Sequence, residues 1–249
     1  MGNADAPTTA SGPAVSDTAA FYDGAYHRHG FAAQRMYPNE ELLRFFGTYY
    51  FSLPVEQRAQ MRVLEVGCGS GANLWMIAHE GFSAYGIDLS ANALMLCEQM
   101  LKKWGTNATL KQTSMTSIDY EDYYFDVVVD VFSAYCMPEA DFNRFLDEAA
   151  RLLKPGGRFF SYTPSKNNDS FRDPGPSKFI DASTLDGVHR KTSPFYGQFY
   201  PFRFIEPEEF AALLEERGFK VLRNERIGRT YADRSEYFEF VSIHAQKVD

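Results

Sequence analysis

Short apolar runs alternate with amphipathic segments through the middle of the chain. The runs have the length of buried β-strands, and the segments between them carry apolar residues at helical spacing. The predicted strands are 63–66, 83–87, 109–112, 125–131 and 158–162. The predicted helices are 72–80, 91–104 and 141–153. Because each helix must return the chain over the sheet to start the next strand, the alternation predicts an α/β fold, a parallel sheet with helices on both faces.

The two ends of the chain follow a different pattern. Residues 18–50 are aromatic and helical, with Asn39 placed to cap a helix that starts directly after it. Beyond Thr163, an aromatic segment rich in Pro and Gly runs to Phe204. The remaining predicted elements are a helix at 207–217 and strands around Val221 and Phe238.

Charge and cysteine content exclude several classes of protein. The net charge is -8 and no run of Lys or Arg forms a basic stripe, so nucleic acid is not an expected partner. The three cysteines are too few and too scattered for a disulfide framework or a Cys-rich metal site, which favours a reducing cytoplasm. No apolar stretch is long enough to span a bilayer, and residues 1–18 are typical of a disordered tail rather than a signal peptide.

The stretch 63–71 reads Val-Leu-Glu-Val-Gly-Cys-Gly-Ser-Gly, so that a strand ends in glycines and a helix follows. Glycine lets the backbone turn sharply and approach a ligand closely. Such a turn also serves NAD enzymes, so it does not identify the ligand alone. A second acid, Asp88, ends the next strand at about the distance expected of a ribose-binding carboxylate.

The position of Glu65, inside the strand just before the first glycine, resembles the first motif of class I S-adenosylmethionine-dependent methyltransferases. Phe125 to Asp130 is similar to the family's fourth strand, and 152–157 to the turn before the fifth. The resemblance covers residues 61–160 and implies a Rossmann-like, mostly parallel seven-stranded sheet with a C-terminal antiparallel hairpin. It also implies S-adenosylmethionine as the cofactor.

The resemblance assigns roles to residues of this sequence. It implies that Glu65 acts through the network around the methionine ammonium, and that Ser114 stands at the adenine edge, where the family usually has a carboxylate. The cofactor-binding residues implied are Tyr26, Arg35, Glu65, Gly67, Cys68, Gly69, Gly71, Asp88, Leu89, Ser114, Met115 and Asp130. Arg35 is expected to hold the methionine carboxylate through its planar fork, or else to be an exposed surface arginine.

The family varies outside this core, and the variable regions are expected to form the substrate pocket. Tyr135 falls where the family often places groups facing the transferred methyl, or else it is a tyrosine of the core or rim. His189 is a candidate general base, or else a loop histidine without a role. The aromatic segment 195–204 is expected to line the acceptor site or to pack in the core. The expected regions are a tail at 1–18, a helical N-terminal lid at 19–60, the cofactor-binding core at 61–162, a substrate insertion at 163–205, and a C-terminal helix and hairpin at 206–249.

The expected activity is methyl transfer to an oxygen or nitrogen of a small molecule by in-line displacement, in a monomer or a homodimer. One alternative is an NAD(P)-dependent oxidoreductase, since Tyr162 and Lys166 have the spacing of a reductase pair. Pro164 lies between them and that pair needs a helix, which argues against it. The other alternative is a cofactor-binding module without catalysis.

Overall fold

The computed structural model describes residues 15–248. Its helices are α1 (Val15–His29), α2 (Glu40–Tyr49), α3 (Val55–Arg58), α4 (Leu74–His79), α5 (Ala91–Lys103), α6 (Glu139–Leu152), α7 (Asp169–Arg172) and α8 (Pro207–Glu215). Its strands are β1 (Arg62–Val66), β2 (Ser83–Asp88), β3 (Thr109–Gln112), β4 (Phe125–Val131), β5 (Leu153–Pro164), β6 (Thr184–Leu185), β7 (Phe202–Arg203), β8 (Phe219–Tyr231) and β9 (Glu236–Lys247). None of these helices is long and apolar enough to cross a membrane.

Seven of the strands form one sheet in the order β3-β2-β1-β4-β5-β9-β8. The first five strands run parallel to one another, and β9 pairs antiparallel with both β5 and β8. The Rossmann-like sheet with a C-terminal antiparallel hairpin is therefore confirmed. The strand order reverses between β1 and β4, and ligands of open α/β sheets bind in the crevice at this point.

Alternate side chains of the central strands pack on opposite faces of the sheet, each covered by helices. On one face, the ring of Phe160 lies 5.1 Å from that of Phe45 in α2. On the other face, the ring of Phe159 lies 6.1 Å from that of Phe145 in α6. Successive strand residues point to opposite faces, so β5 serves both hydrophobic clusters.

The N-terminus of α2 is capped as its sequence predicts. Asn39 has an extended backbone, and its side-chain oxygen accepts hydrogen bonds from the N–H groups of Glu41 (2.9 Å) and Leu42 (3.2 Å). These bonds satisfy two of the amides that the first turn of a helix leaves free. The cap therefore fixes where the chain enters α2, and the N–H of Asn39 itself donates to Oδ1 of Asn73 at 2.9 Å.

Three segments differ from expectation. The strand β5 begins at Leu153 and continues through the Pro-Gly-Gly run expected to form a turn, with its pairing to β4 shifted between Phe125 and Val127. The aromatic insertion contains a small sheet of β6 and β7. Helix α1 begins at Val15, inside the segment expected to be a disordered tail, while residues 1–14 of that tail lie outside the described residues.

Candidate functional site

A cavity of about 100 Å³ lies at the carboxyl ends of β1, β2 and β4 and is covered by α1. Its lining comes from four sequence-distant places: the helix α1, the turn after β1, the end of β2 and the loops after β3 and β4. Representative lining residues are Tyr22, Tyr26, Gly67, Asp88, Met115 and Phe132. The cavity therefore lies where this class of sheet binds ligands.

The turn after β1 can pass close to its neighbours because it is built from glycines. Gly67 has a φ of 61°, and a Cβ at this position would overlap the side chain of Ser133. Gly69 has a φ of 51°, and its Cβ would lie 2.7 Å from the hydroxyl of Tyr26. Both the backbone conformation and the space around it thus require glycine.

Asp88 is tied to this turn by its carboxylate. One oxygen accepts a hydrogen bond of 2.9 Å from the N–H of Gly69, and the other accepts one of 2.9 Å from the N–H of Ser90. Burial raises the pKa of the Asp88 carboxyl, and the backbone hydrogen bonds oppose that rise. The acid predicted to follow the second strand therefore lies against the glycine turn and lines the cavity.

Glu65 lies beneath the turn, fully buried, and is connected to the N-terminal region through Asn73. The side-chain amide of Asn73 donates a 2.6 Å hydrogen bond to Oε1 of Glu65, and Asn73 Oδ1 accepts a 2.9 Å bond from Nη2 of Arg35. Within the described part of the chain, Glu65 Oε2 has no hydrogen-bond partner. Burial raises the pKa of Glu65 to about 8. The sequence pattern did not single out Asn73, because nothing local marks it.

Two of the remaining predicted cofactor residues line the cavity and one does not. Leu89 and Met115 are lining residues. The hydroxyl of Ser114 lies 2.8 Å from that of Thr116 and accepts a bond of 3.2 Å from the Thr116 N–H, which closes the turn after β3. The side chain of Ser114, the residue expected at the adenine edge, therefore forms hydrogen bonds within its own turn.

Two further residues of the glycine turn have internal contacts. The N–H of Cys68 donates to the carbonyl of Ile87 in β2 at 2.9 Å, and the Cys68 side chain is buried. The N–H of Gly71 donates to the carbonyl of Cys68 at 2.9 Å. The first bond holds the turn against the end of β2, where Asp88 lies, and the second closes the turn itself.

Asp130 is completely buried and acts on the cavity through its neighbours. One carboxylate oxygen accepts bonds from the Ser133 hydroxyl at 2.6 Å and the Ala134 N–H at 3.0 Å, and the other accepts from the Ser161 hydroxyl at 2.7 Å. The carboxylate thereby fixes the turn after β4. Phe132, in that turn, has a left-handed φ of 57° that a bulky residue rarely adopts, and its ring faces the cavity.

The two predicted catalytic residues lie in different environments. The Tyr135 hydroxyl lies 2.6 Å from that of Tyr22, a lining residue, and burial raises the pKa of both hydroxyls. His189 stacks on Phe199 with ring centroids 4.5 Å apart and is not among the residues that line the cavity. The structure thus places Tyr135 against a lining residue and His189 against Phe199, which does not line the cavity, and neither Tyr135 nor His189 is itself among the described residues that do.

The aromatic segment 195–204 is divided between core and surface. Its buried members are Tyr200, Phe202 and Phe204, and its half-exposed members are Tyr196 and Phe199. Phe195 stacks on Phe132 with ring centroids 4.9 Å apart and so backs the wall of the cavity. Across residues 15–248, no group of His, Cys, Asp and Glu side chains is arranged to hold a metal ion.

The structure removes the geometric basis of the reductase alternative. Tyr162 and Pro164 pair with β9 as part of β5, so the segment is a strand where a reductase pair needs a helix. Lys166 donates a 2.7 Å hydrogen bond to Glu209, away from Tyr162. The two side chains therefore do not form a catalytic pair.

Comparison with known proteins agrees with the geometry. A family model described as a methyltransferase domain matches residues 63–157, which begin with β1 and end in β5. The fatty-acid O-methyltransferase of Mycolicibacterium smegmatis is 32% identical over 131 residues, which are 51% of this chain and 46% of the relative. A sterol 4-C-methyltransferase of Caenorhabditis elegans is 26% identical over 190 residues, 75% of this chain and 52% of the relative. The chain thus spans about half the length of these curated relatives.

Solved structures share the fold across nearly the whole chain. The 1,6-didemethyltoxoflavin-N1-methyltransferase of Burkholderia thailandensis, bound to 1,6-didemethyltoxoflavin and S-adenosylhomocysteine, aligns with a TM-score of 0.64 at 17% identity. That alignment covers 99% of this chain and 94% of the other. An S-adenosylmethionine-dependent methyltransferase of Methanosarcina mazei aligns with a TM-score of 0.61 at 22% identity, covering 79% of this chain and 98% of the other. Residues 63–157 thus match a methyltransferase domain, and the chain has the fold of S-adenosylmethionine-dependent methyltransferases.

Proposed function

We propose that this protein transfers the methyl group of S-adenosylmethionine to an oxygen or nitrogen atom of a small molecule by in-line displacement. The observation that carries the proposal is the cavity at the carboxyl ends of β1, β2 and β4, with Asp88 bonded to its glycine turn and Glu65 buried two residues before that turn. Sequence similarity to a fatty-acid O-methyltransferase and to a sterol 4-C-methyltransferase supports a small-molecule acceptor.

The residues present fit the cofactor. Oε2 of Glu65 is buried and has no hydrogen-bond partner among the described residues, so it can accept a bond from the network around an ammonium group. Asp88 has lone pairs left after its two backbone bonds and can accept from ribose hydroxyls. A side chain at Gly67 or Gly69 would overlap Ser133 or Tyr26, both of which line the cavity. We propose that Arg35, which donates a hydrogen bond to Asn73, binds the methionine carboxylate of the cofactor.

When bound, the cofactor supplies a methyl group on a sulfonium, which is already a good leaving group. The protein then has to align the acceptor and exclude water. Helix α1 covers the cavity with Tyr22 and Tyr26, and Phe132 gives it an apolar wall. The proton of the acceptor would pass to solvent, and the other product would be the neutral thioether S-adenosylhomocysteine. The proposal assigns no part to His189, because it does not line the cavity.

Binding and turnover test the proposal separately. Isothermal titration with S-adenosylhomocysteine should show saturable binding at one site per chain, and NAD should show none. A panel of small molecules incubated with methyl-labelled S-adenosylmethionine should then yield a labelled product. Binding of NAD in place of S-adenosylhomocysteine would overturn the proposal. Tight binding of S-adenosylhomocysteine with no turnover on any acceptor would instead support a non-catalytic binding module.

A further inference from the structure

Three tyrosine hydroxyls meet beside the cavity, although they come from distant parts of the chain. Tyr22 lies on α1, Tyr135 in the turn after β4, and Tyr200 just before β7. The Tyr22 hydroxyl oxygen lies 2.6 Å from each of the other two, which are 2.9 Å from one another. Gln198 completes the group, which we call the tyrosine cluster: its side-chain oxygen accepts from Tyr135 at 3.0 Å and also from Tyr200.

The tyrosine cluster has more oxygen–oxygen contacts than protons. Five contacts join its four oxygens, and the three hydroxyls supply one proton each, because the oxygen of Gln198 only accepts. Two of the contacts therefore lack a proton. The tyrosine cluster can therefore accept a hydrogen bond from an N–H or O–H of a ligand, which supplies a proton that the cluster lacks.

The cavity wall beside the tyrosine cluster, as far as the structure describes it, carries no positive charge. The described residues that line the cavity include no Lys, Arg or His. Tyr135 and Tyr200 are only 2% and 1% exposed, and they pack on apolar rings such as Phe202, 4.6 Å from Tyr135. A carboxylate entering here would lose its hydration without gaining a cation, which is costly in an apolar environment.

We propose that the tyrosine cluster selects a methyl acceptor that presents a neutral hydrogen-bond donor, a hydroxyl or an amine, and rejects a carboxylate. Tyr22 is the residue that meets this donor, since it lines the cavity and joins the other two hydroxyls. The inference rests on the proposed function and narrows its substrate class. It also separates this chain from its relative whose name specifies fatty-acid O-methylation.

Four matched probes test this selection by binding to protein saturated with S-adenosylhomocysteine. They are 2-naphthol, 2-naphthylamine, 2-methoxynaphthalene and 2-naphthoate, which share one ring system and differ in the group offered. At pH 7 the naphthol and naphthylamine should bind about 3- to 10-fold more tightly than the ether, the range of one neutral hydrogen bond. Naphthoate should bind more weakly still.

The variant Tyr22→Phe should remove the preference for the donor probes over the ether. The matched control is Tyr85→Phe, which deletes a hydroxyl that contacts Tyr124 at 3.3 Å; it should leave the preference intact. Naphthoate binding as tightly as naphthol, an unchanged preference in Tyr22→Phe, or no binding of any probe would each overturn the inference. The ranking on the wild-type chain decides the matter even if a variant fails to fold. Failure to bind S-adenosylhomocysteine at the outset would count against the proposed function instead.

Discussion

The side-chain amide of Asn73 donates a 2.6 Å hydrogen bond to the buried carboxylate of Glu65. The same amide accepts a hydrogen bond from Arg35, so one neutral side chain holds an acid of the core and a base of the N-terminal region in place. Neither contact can be seen in the sequence, and we propose that together they hold the amino-acid part of the cofactor.

Asn73→Ala should therefore weaken binding of S-adenosylhomocysteine. The substitution leaves the Glu65 carboxyl without its donor and Arg35 without its acceptor, at a cost of about 1–3 kcal/mol, roughly a 5- to 100-fold rise in Kd. Isothermal titration measures the change. Asn107→Ala, at an exposed position after α5, serves as the control and should bind as the wild type does. Equal affinities for the two variants would contradict the role given to Asn73.

Binding of S-adenosylhomocysteine at pH 7 should release a proton from Glu65. Burial raises the pKa of this carboxyl to about 8, so it is mostly protonated before the ligand binds. A nearby ammonium favours the charged form and lowers the pKa. The binding enthalpy should thus vary with the ionisation enthalpy of the buffer, which titrations in phosphate and Tris reveal.

Glu65→Gln provides the control for proton release: its side chain cannot titrate, so the binding enthalpy should depend less on the buffer.

The raised pKa of Glu65 also makes folding stability depend on pH. Because the folded value lies above the unfolded value of 4.5, the contribution to stability is complete below pH 4.5 and is lost as the pH rises towards 8. Identical pH profiles of Tm for wild type and Glu65→Gln over this range would show that Glu65 does not titrate as described.

Gly69→Ala should lower affinity for S-adenosylhomocysteine at least tenfold in a folded protein. The new Cβ would lie 2.7 Å from the Tyr26 hydroxyl and so displace Tyr26 into the cavity. Gly105→Ala is a matched control: its φ of 64° imposes a similar backbone strain, and no atom lies within 4 Å of the added carbon. Combining Gly69→Ala with Tyr26→Phe should restore part of the affinity. No difference between the two alanine variants would exclude the steric explanation.

Asp23 should hold α1 closed over the cavity. Its carboxylate accepts hydrogen bonds from the Ser90 hydroxyl at 2.6 Å and the Asn92 side chain at 2.9 Å, at the start of α5. The hydrogen bond from Ser90 is the main reason that the pKa of Asp23 is lowered. The carboxylate is therefore charged and fully bonded at neutral pH, and it loses these bonds only as the pH falls through the lowered pKa.

Asp23→Ala should accordingly speed hydrogen exchange of the α1 amides and raise the Kd for S-adenosylhomocysteine, while exchange in the central strands stays unchanged. Hydrogen–deuterium exchange with mass spectrometry measures both regions at once. Unaltered exchange in α1 would mean that other contacts hold the helix.

The sequence predicts the features that local pattern controls. Strands β1 to β4, the cap at Asn39 and the proximity of Asp88 to the glycine turn all follow from periodicity and motif. The start of β5 does not, because pairing with β4 extends a strand through a run whose own preference is for a turn. Pairing between chain segments here overrides local propensity.

The tyrosine cluster shows why the acceptor end of the site was harder to predict. Tyr22 and Tyr200 are 178 positions apart, and each is one aromatic residue among many in an aromatic segment. Their meeting depends on how α1 and the insertion after β5 fold over the sheet. Similarly, a histidine such as His189 has the right chemistry for a base, but only the fold decides whether it reaches the cavity.

A crystal structure of the protein with S-adenosylhomocysteine would show whether the cavity is the cofactor site. We expect density in the cavity between the turn at Gly67–Gly69 and the rings of Tyr22 and Tyr26, with the ribose at Asp88 and the amino group on the side of Glu65. Ligand density at any other place, with the glycine turn and both acids left without contacts to it, would show that the cofactor binds elsewhere.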